Sequence, residues 1–231
     1  MGYTVTIVVP ARNEADRIGS TLAALRRIGD CRKSGQSELL VVDDGSDDGT
    51  AEIARAYADD VIRHVGNMGK GEAMNSGWRR AKGDIVLFAD ADLGDSARYL
   101  EKLIVPLEED RADMAVARFA VSPSKGGFGF AKALARHGIQ RLTGYRTEAP
   151  LSGQRAVRRR VLEQIGGLSS GYGAEVGLTV DVLRHGYCIC EIDLPLTHRE
   201  YGKTWSGFVH RGTQMIDIGR TLFVKWREPL C

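Results

Sequence analysis

The 231-residue chain has no apolar run near the ~18 residues that a membrane-spanning helix requires. Its opening, "MGYTVTIVVPARNE", goes straight into strand-like sequence without the basic and apolar regions of a signal peptide. These absences set the expectation of a cytoplasmic protein. Charge of one sign is also missing. There are 32 basic and 30 acidic residues, a formal net charge of +2, which is no footprint for nucleic acid. Cysteine is scarce: Cys31, Cys188, Cys190 and Cys231 form no C-x-x-C pair and no zinc-ligand series. Cys188 and Cys190 are expected as reduced, small apolar residues on one face of a strand. No G-x-x-x-x-G-K-[ST] loop is present, and no G-x-G-x-x-G follows the first strand. A nucleotide triphosphatase and a dinucleotide dehydrogenase are thereby disfavoured. There is no internal repeat and no low-complexity linker. With 43% hydrophobic residues, the chain can build one large domain or two small ones sharing a core.

What is present in the first half is alternation. "YTVTIVVP" predicts a strand, followed by a helix from about Asn13 to Arg27 with Ile18, Leu22 and Leu25 at helical spacing. "ELLVVDD" predicts a second strand, and "DDGTAEIARAYA" a helix with a cap-rich first turn. "DVIRHV", "DIVLFA" and "ADMAVARF" read as strands. "GKGEAMNSGWRRAKG" reads as a helix ending at Gly83, and "ARYLEKLIVPLEED" as a helix containing a proline. This order implies an α/β fold with a mostly parallel sheet sandwiched by helices. Ligands of such sheets bind beyond the carboxyl ends of the strands. In the second half, "SKGGFGFAKALARHG" reads as a glycine-broken entry to a helix. "APLSGQRAVRRRVLEQIGG" reads as strand then helix, "GAEVGLTVDVLRHGY" as a helix and "CICEIDLPLTHRE" as a strand. The tail from Ser206 to Trp226 is expected to be an amphipathic helix. The expected division is 1–118 and 119–231, two halves of one integrated domain with the site between them.

The strand ends carry the chemistry. "DIVLFADADLGDS" runs from a buried strand into Asp90, Asp92 and Asp95. Asp90 and Asp92, two apart at a strand end, put both carboxylates on one side. Mg2+ or Mn2+ takes oxygen ligands and keeps positions open for phosphate, so the pair suits a metal bridging protein and diphosphate. A calcium-binding EF-hand loop is rejected, because Asp95 stands where that loop needs glycine and a strand precedes it. A merely solvated acidic turn is the bland alternative. Arg12, Asn13 and Glu14 end the first strand, and Asp43 and Asp44 the second. Asp44 can accept the imide N–H of uracil, which cytosine lacks, although both aspartates can instead cap their own turn. "GNMGKGEAMNSG" opens a helix with Gly69 and Lys70, where helix-start N–H groups and a lysine suit an anionic or nucleotide ligand. Four such endings converge on one edge of one sheet.

As a set, "VVPARNE", "VVDDGSDDGT", "GKGEA" and "DIVLFADAD" resemble, in order and spacing, the family 2 type of glycosyltransferase with the GT-A fold. The resemblance covers about residues 4 to 118. It implies that Pro10, Ala11, Arg12, Glu14, Asp44, Gly69 and Lys70 surround the donor nucleoside. Asp90 then faces ribose and sugar, and Asp92 binds metal. In the second half, "APLSGQRAVRR", "GYGAEVGLTVD" and "LTHRE" are similar to the glucosyl-3-phosphoglycerate synthases, retaining enzymes that use a UDP- or GDP-sugar. That similarity implies His198 as second metal ligand, Glu175 beside the donor sugar, and Leu151, Ser152, Gly153, Phe128 and Arg199 in the acceptor and sugar region.

Two departures bear on the acceptor. The synthases' G-G-G-R-V-T loop holds the acceptor's phosphate and carboxylate with its arginine and threonine, whereas "GGFGFA" has Gly129 and Ala131 there. Their A-H-R-N asparagine is Glu200 here. Losing a cation and gaining an acid disfavours a small dianionic acceptor. Phe128 and Phe130 make the loop apolar, while Lys125, Arg146 and Arg158 to Arg160 remain as sources of positive charge. "HREYGKTW" looks like the R-x-Y-G-x-S-K loop of polyprenyl-phosphate sugar synthases, and the basic tail helix suits a membrane-surface substrate. The same helix can instead dock on the domain or form a homodimer. Glu175 is followed by Val176, so the E-D pair of many inverting members is absent. This fits a retaining mechanism or an already ionised phosphate nucleophile. The expectation is a metal-dependent transferase of a sugar from a UDP-sugar, with UDP-glucose first, to an acceptor the motifs leave open. A polyprenyl-phosphate sugar synthase at the inner membrane face and a non-catalytic nucleotide-sugar sensor are the alternatives.

Overall fold

A computed structural model describes residues 3–31, 37–119, 129–197 and 205–228. Among these residues the apolar runs become seven strands: β1 (Val5–Ala11), β2 (Ser37–Asp43), β3 (Asp60–Arg63), β4 (Ile85–Phe88), β5 (Met114–Phe119), β6 (Arg155–Arg158) and β7 (Ile189–Leu194). They form one sheet in the order β3-β2-β1-β4-β6-β5-β7. The β1–β2, β1–β4, β2–β3 and β5–β7 pairs are parallel, and β6 runs antiparallel between β4 and β5. Both halves of the chain therefore contribute to one sheet. Ala11 pairs with Asp43 and Asp43 with Arg63, so the first three motif-bearing strand ends lie level.

Helices α1 (Ala15–Cys31), α2 (Thr50–Arg55), α3 (Lys70–Arg80), α4 (Val105–Glu108), α5 (Gly129–Thr143), α6 (Arg159–Ile165), α7 (Ala174–Arg184) and α8 (Trp205–Arg227) cover the sheet. Ile18, Leu22 and Leu25 are fully buried, as their spacing predicts, and join one face of β1, β2 and β4 in a core. A second core on the other face joins Val8, Val42 and Phe88 to Trp78 of α3 and Leu178 of α7. α7 is buried along most of its length, which positions its first residues at the site.

Several expectations need correction. α1 begins at Ala15, because Asn13 adopts a left-handed backbone (φ 54°) and stands outside the helix. The proline-containing helix is two pieces, a 3₁₀ run over Gly94–Leu103 and the short α4, whose first turn holds Pro106. Proline has no N–H to donate, so it begins a helix better than it continues one. Cys188 precedes β7 and is exposed, whereas Cys190 lies inside the strand and packs on the first core, so they do not share one apolar face. Arg158 to Arg160 sit at the far edge of the sheet, since Arg158 pairs with Ile85 at the start of β4. There they engage Asp110, Asp113 and Glu163, not the acceptor region.

α8 docks on the domain through one face. Ile218 is fully buried against Ala135, Ile139, Val176 and Val180. Lys225 Nζ lies 2.9 Å from Asp181 Oδ1, and Asp217 Oδ2 accepts the Tyr172 N–H at 3.1 Å. The outward face leaves Met215, Ile216, Phe223, Val224 and Trp226 exposed. No helix among the described residues is long and apolar enough to cross a membrane.

Candidate active site

The loops after β1 and β2 are stitched together by hydroxyls and carboxylates of the second motif. Ser46 Oγ accepts the Asn13 N–H at 2.9 Å, Thr50 Oγ1 that of Glu14 at 2.9 Å, and Asp48 Oδ2 that of Ala15 at 3.2 Å. These satisfy N–H groups that the start of α1 leaves unpaired. Asp48 is exposed and held below its ordinary pKa: the desolvation it suffers is outweighed by two hydrogen bonds from Thr50 and one from Ala15. Gly45 has φ +69°, and a Cβ there would meet the Gly66 backbone at 2.6 Å. The second motif and the loop before α3 approach as closely as backbone allows.

Asp43 and Asp44 divide the labour. Asp43 caps its own turn, accepting the Ser46 N–H at 3.2 Å, and lies 3.2 Å from Arg63 Nε. Asp44 is 4% exposed. Its Oδ1 accepts the Met68 N–H and its Oδ2 the Gly69 N–H, both at 2.8 Å, and His64 Nδ1 lies 2.7 Å from Oδ1. Asp44 thus fixes the turn that delivers Lys70. Pro10 and Ala11 line the end of β1, with Ala11 buried; Arg12 is exposed and Glu14 half-buried beside them.

Lys70 is the centre of the site. Its Nζ is 2.8 Å from Asp90 Oδ1 and 3.0 Å from Glu175 Oε1. Burial alone would favour the neutral amine, but the two carboxylates outweigh it and raise the lysine pKa above its ordinary value. Gln154 Nε2 donates to the other oxygen of Asp90. The first acid of D-x-D is therefore tied to the protein by a cation and an amide. The second, Asp92, lies half-buried on the next loop. Thr21 of α1 clamps that loop on both sides: its hydroxyl donates to Ala91 O at 2.8 Å and accepts the Gly94 N–H at 2.8 Å. Ser96, in the 3₁₀ run that follows, accepts the Thr197 N–H at 3.1 Å. Thr197 is the last described residue before His198.

The turn before β6 closes the site. Antiparallel β6 places Arg155 beside Phe88, so Pro150 to Gln154 arrive at the edge where β4 ends. Arg155 is fully buried, donating to Ser152 O and Thr179 Oγ1, both at 2.7 Å. Burial pushes its pKa down to about 10, with Glu175 and Glu191 opposing. Ser152 and Gly153 are buried and Leu151 half-buried. Gly153 presses on the charged cluster, since a Cβ there would lie 2.5 Å from Lys70 Nζ and 2.8 Å from Asp90 Oδ1. Ala131 is packed in the α5 core with Ala135 and Ile139.

The structure thus brings together Lys70, Asp90, Glu175 and Gly153, with Asp44 and Asp92 on the loops beside them. His198, Arg199, Phe128, Lys125 and Glu200 lie outside the described residues, and no group of three metal-binding side chains occurs among the described ones. Thr21, Ser96, Gln154, Arg155 and His64 escaped the sequence reading. Their partners lie far along the chain, so no local pattern marked them.

The family model described as "Glycosyl transferase family 2" matches residues 6–166. Solved structures of the glucosyl-3-phosphoglycerate synthase of Mycobacterium tuberculosis are similar along the chain. The complex with Mn2+, UDP-glucose and phosphoglyceric acid gives TM-score 0.81 at 27% identity, covering 99% of this chain and 81% of that one. The complex with Mg2+ and UDP gives TM-score 0.82 at 26% identity, with the same coverage. An uncharacterized protein of Methanocaldococcus jannaschii is 30% identical over 95% of this chain and 89% of its own length. An undecaprenyl-phosphate 4-deoxy-4-formamido-L-arabinose transferase of Shewanella sediminis is 28% identical over 93% of this chain, which spans 65% of that longer protein. With the sheet, the strand-end motifs and these matches in agreement, the chain belongs to glycosyltransferase family 2 and has the GT-A fold.

Proposed function

We propose that this glycosyltransferase moves a sugar, with glucose the first candidate, from a UDP-sugar to an acceptor carrying an ionised phosphate. The observation that carries the reading is Lys70 locked between Asp90 and Glu175, beside the loop that presents Asp92. A cation and two carboxylates packed under a backbone turn form a preorganised polar wall for a sugar diphosphate. Pro10, Ala11, Arg12, Glu14 and Gly69 supply the nucleoside end of the cleft. Asp44 has three acceptor sites filled internally and keeps one lone pair on Oδ2 for the base.

Asp92 and His198 would hold Mg2+ or Mn2+, and the donor set fits: a carboxylate and an imidazole suit either metal, Mn2+ especially. Thr21 and Ser96 hold the Asp92 loop, and the Ser96–Thr197 hydrogen bond brings the residue before His198 to it. A bound cation neutralises charge that builds on the diphosphate as the glycosidic bond breaks. Glu175, buried under Lys70, faces the donor sugar; Val176 beside it offers no base. An ionised phosphate acceptor needs none.

A second reading, a lipid-linked phosphate acceptor used at the inner face of a membrane, is favoured by the exposed apolar side chains of α5 and α8. Phe130 and Leu134 are exposed, as are Met215, Ile216, Phe223 and Trp226. Phe223, Trp226, Leu222, Leu142 and Arg141 line a groove of ≈ 320 Å³. Apolar side chains beside arginine suit an amphiphile with an anionic head. A homodimer through α8 would bury the same face. The former acceptor cations Arg158 to Arg160 point elsewhere, which disfavours 3-phosphoglycerate further.

The test is calorimetry of UDP with Mn2+, paired with donor hydrolysis. The parent should bind UDP only with metal and hydrolyse UDP-glucose slowly. Asp92→Ala should lose both while melting like the parent. Metal-dependent binding retained by Asp92→Ala would overturn the metal assignment, and binding without hydrolysis or transfer would indicate a sensor.

A further inference from the structure

His64 directly follows β3, outside every motif used above, yet its side chain is only 8% exposed. Its ring joins three elements. Nδ1 lies 2.7 Å from Asp44 Oδ1 at the end of β2, and Nε2 lies 2.9 Å from Ser76 Oγ on α3. Its own N–H donates to Asp43 O at 2.9 Å, which anchors it to β2. A carboxylate only accepts, so the nitrogen facing Asp44 carries the proton. Nε2 is then free to accept from the Ser76 hydroxyl, and both ring nitrogens are satisfied without an external partner.

The consequence falls on Asp44. Its Oδ1 takes the imidazole N–H together with the Met68 N–H, and its Oδ2 takes the Gly69 N–H. These three bonds fix both torsions of the side chain. The remaining lone pair on Oδ2 then has one direction. A carboxylate so held accepts from a base bearing a ring N–H, such as the imide of uracil. It repels a base with a ring acceptor there, such as cytosine. The two backbone donors belong to a glycine-bearing turn, Gly66 to Gly69, whose own conformation depends on Asp44. Among the described residues His64 is the only side-chain donor to Asp44, and it comes from the position directly after β3.

We infer that His64 is a positioning residue for nucleobase selection: it sets the orientation of Asp44, and through it the preference for uracil. This deepens the UDP-sugar reading and rests on it. A side-chain hydrogen bond to a carboxylate is worth about tenfold or more in affinity when the acceptor's orientation depends on it.

The experiment is calorimetry of UDP and CDP, each with Mn2+, on the parent, His64→Phe and His64→Asn. The parent should prefer UDP by at least about tenfold. Phenylalanine keeps the ring volume and lacks the donor, so His64→Phe should lose UDP affinity about tenfold, with CDP little changed and the ratio falling toward one. Asparagine keeps a short N–H donor, and His64→Asn should recover part of the ratio. A residue that only packs would weaken UDP and CDP alike. An unchanged ratio in His64→Phe, or no recovery in His64→Asn, overturns the inference while the donor reading stands. Should His64→Phe fail to fold, His64→Ala takes its place with the same two criteria. Equal UDP and CDP affinities in the parent remove the base-reading role and the inference with it, leaving metal-dependent diphosphate binding intact. Absence of any UDP–Mn2+ binding in the parent would overturn the donor reading itself.

Discussion

Replacing Gly153 by alanine tests the charged cluster without removing any of its members. The added methyl would lie 2.5 Å from Lys70 Nζ, 2.8 Å from Asp90 Oδ1 and 3.1 Å from Asp90 Oδ2. Carbon contacts relax near ~3.5 Å, so the ammonium must retreat by about 1 Å. It is the tip of a flexible side chain, so the backbone need not shift. The move is not cheap for the site, because the same nitrogen is held at 2.8 Å and 3.0 Å by two carboxylates. Losing one charge-assisted hydrogen bond costs about 1.5–3 kcal/mol, or roughly ten- to a hundredfold. Gly153→Ala should therefore lower UDP-glucose hydrolysis by that factor. Its melting temperature should fall by roughly 3–12 °C, because the same hydrogen bond of about 1.5–3 kcal/mol is lost from the folded state. Gly219→Ala on α8 is the control. Nothing lies within 4 Å of a Cβ there, and alanine in a helix should be neutral or stabilising by ~0.5–1 kcal/mol. Turnover of Gly153→Ala within twofold of the parent, at an unchanged melting temperature, would refute the claim that this cluster is the working core.

Transfer of labelled glucose should be weak or absent with 3-phosphoglycerate and efficient with a polyprenyl phosphate in detergent. Efficient transfer to 3-phosphoglycerate at sub-millimolar concentration would mean that Lys125 or Arg146 supplies the missing charge. Replacing Phe223 and Trp226 together by serine should reduce turnover on the lipid acceptor severalfold and leave UDP–Mn2+ binding untouched; loss of UDP binding would show the groove to be structural. Asp84 accepts from Thr4 N at 3.0 Å and Thr4 Oγ1 at 2.7 Å, which holds its pKa below the ordinary value. A carboxylate depressed on folding adds stability above its unfolded pKa and loses it as pH falls through the folded one. Asp84→Asn should thus be less stable at pH 7 and show a flatter decline in urea midpoint below about pH 4. A decline as steep as the parent's would remove Asp84 from the acid response.

The elements that could be read from the sequence are those whose signal is local. β1, β2 and β4 are apolar runs ending in acids or turn residues, and Ile18, Leu22 and Leu25 mark one buried helix face. The strand-end motifs were visible for the same reason, because a polar residue straight after a buried strand has few reasons to be there. Residues whose partner lies far along the chain gave no such signal. Thr21 reaches Ala91, Ser96 reaches Thr197, and Gln154 reaches Asp90. Each is a single polar side chain whose role exists only once two distant segments meet. His64 is the extreme case, since its partners come from β2 and α3 and nothing in "DVIRHV" distinguishes it from a surface histidine.

The direction of β6 decides why part of the site was misread. "SGQRAVRRR" puts a serine–glycine turn at one end of a four-residue strand and three arginines at the other. Periodicity identifies the strand but is blind to its direction. Run parallel to β4, it would bring the arginines to the carboxyl edge, where a phosphorylated acceptor could use them. Run antiparallel, as it is, it brings Ser152, Gly153 and Gln154 to that edge and sends Arg158 toward Asp110 and Asp113. One reversed strand thus exchanges three cations at the site for a glycine turn and an amide against Asp90. A highly charged acceptor would have to find its cations elsewhere, whereas the proposed donor side is built on β1, β2, β3 and β4 and does not depend on β6. The strand direction removes Arg158 to Arg160 from the candidate acceptor charges and leaves the parallel strands that carry the donor motifs in the order their sequence implied.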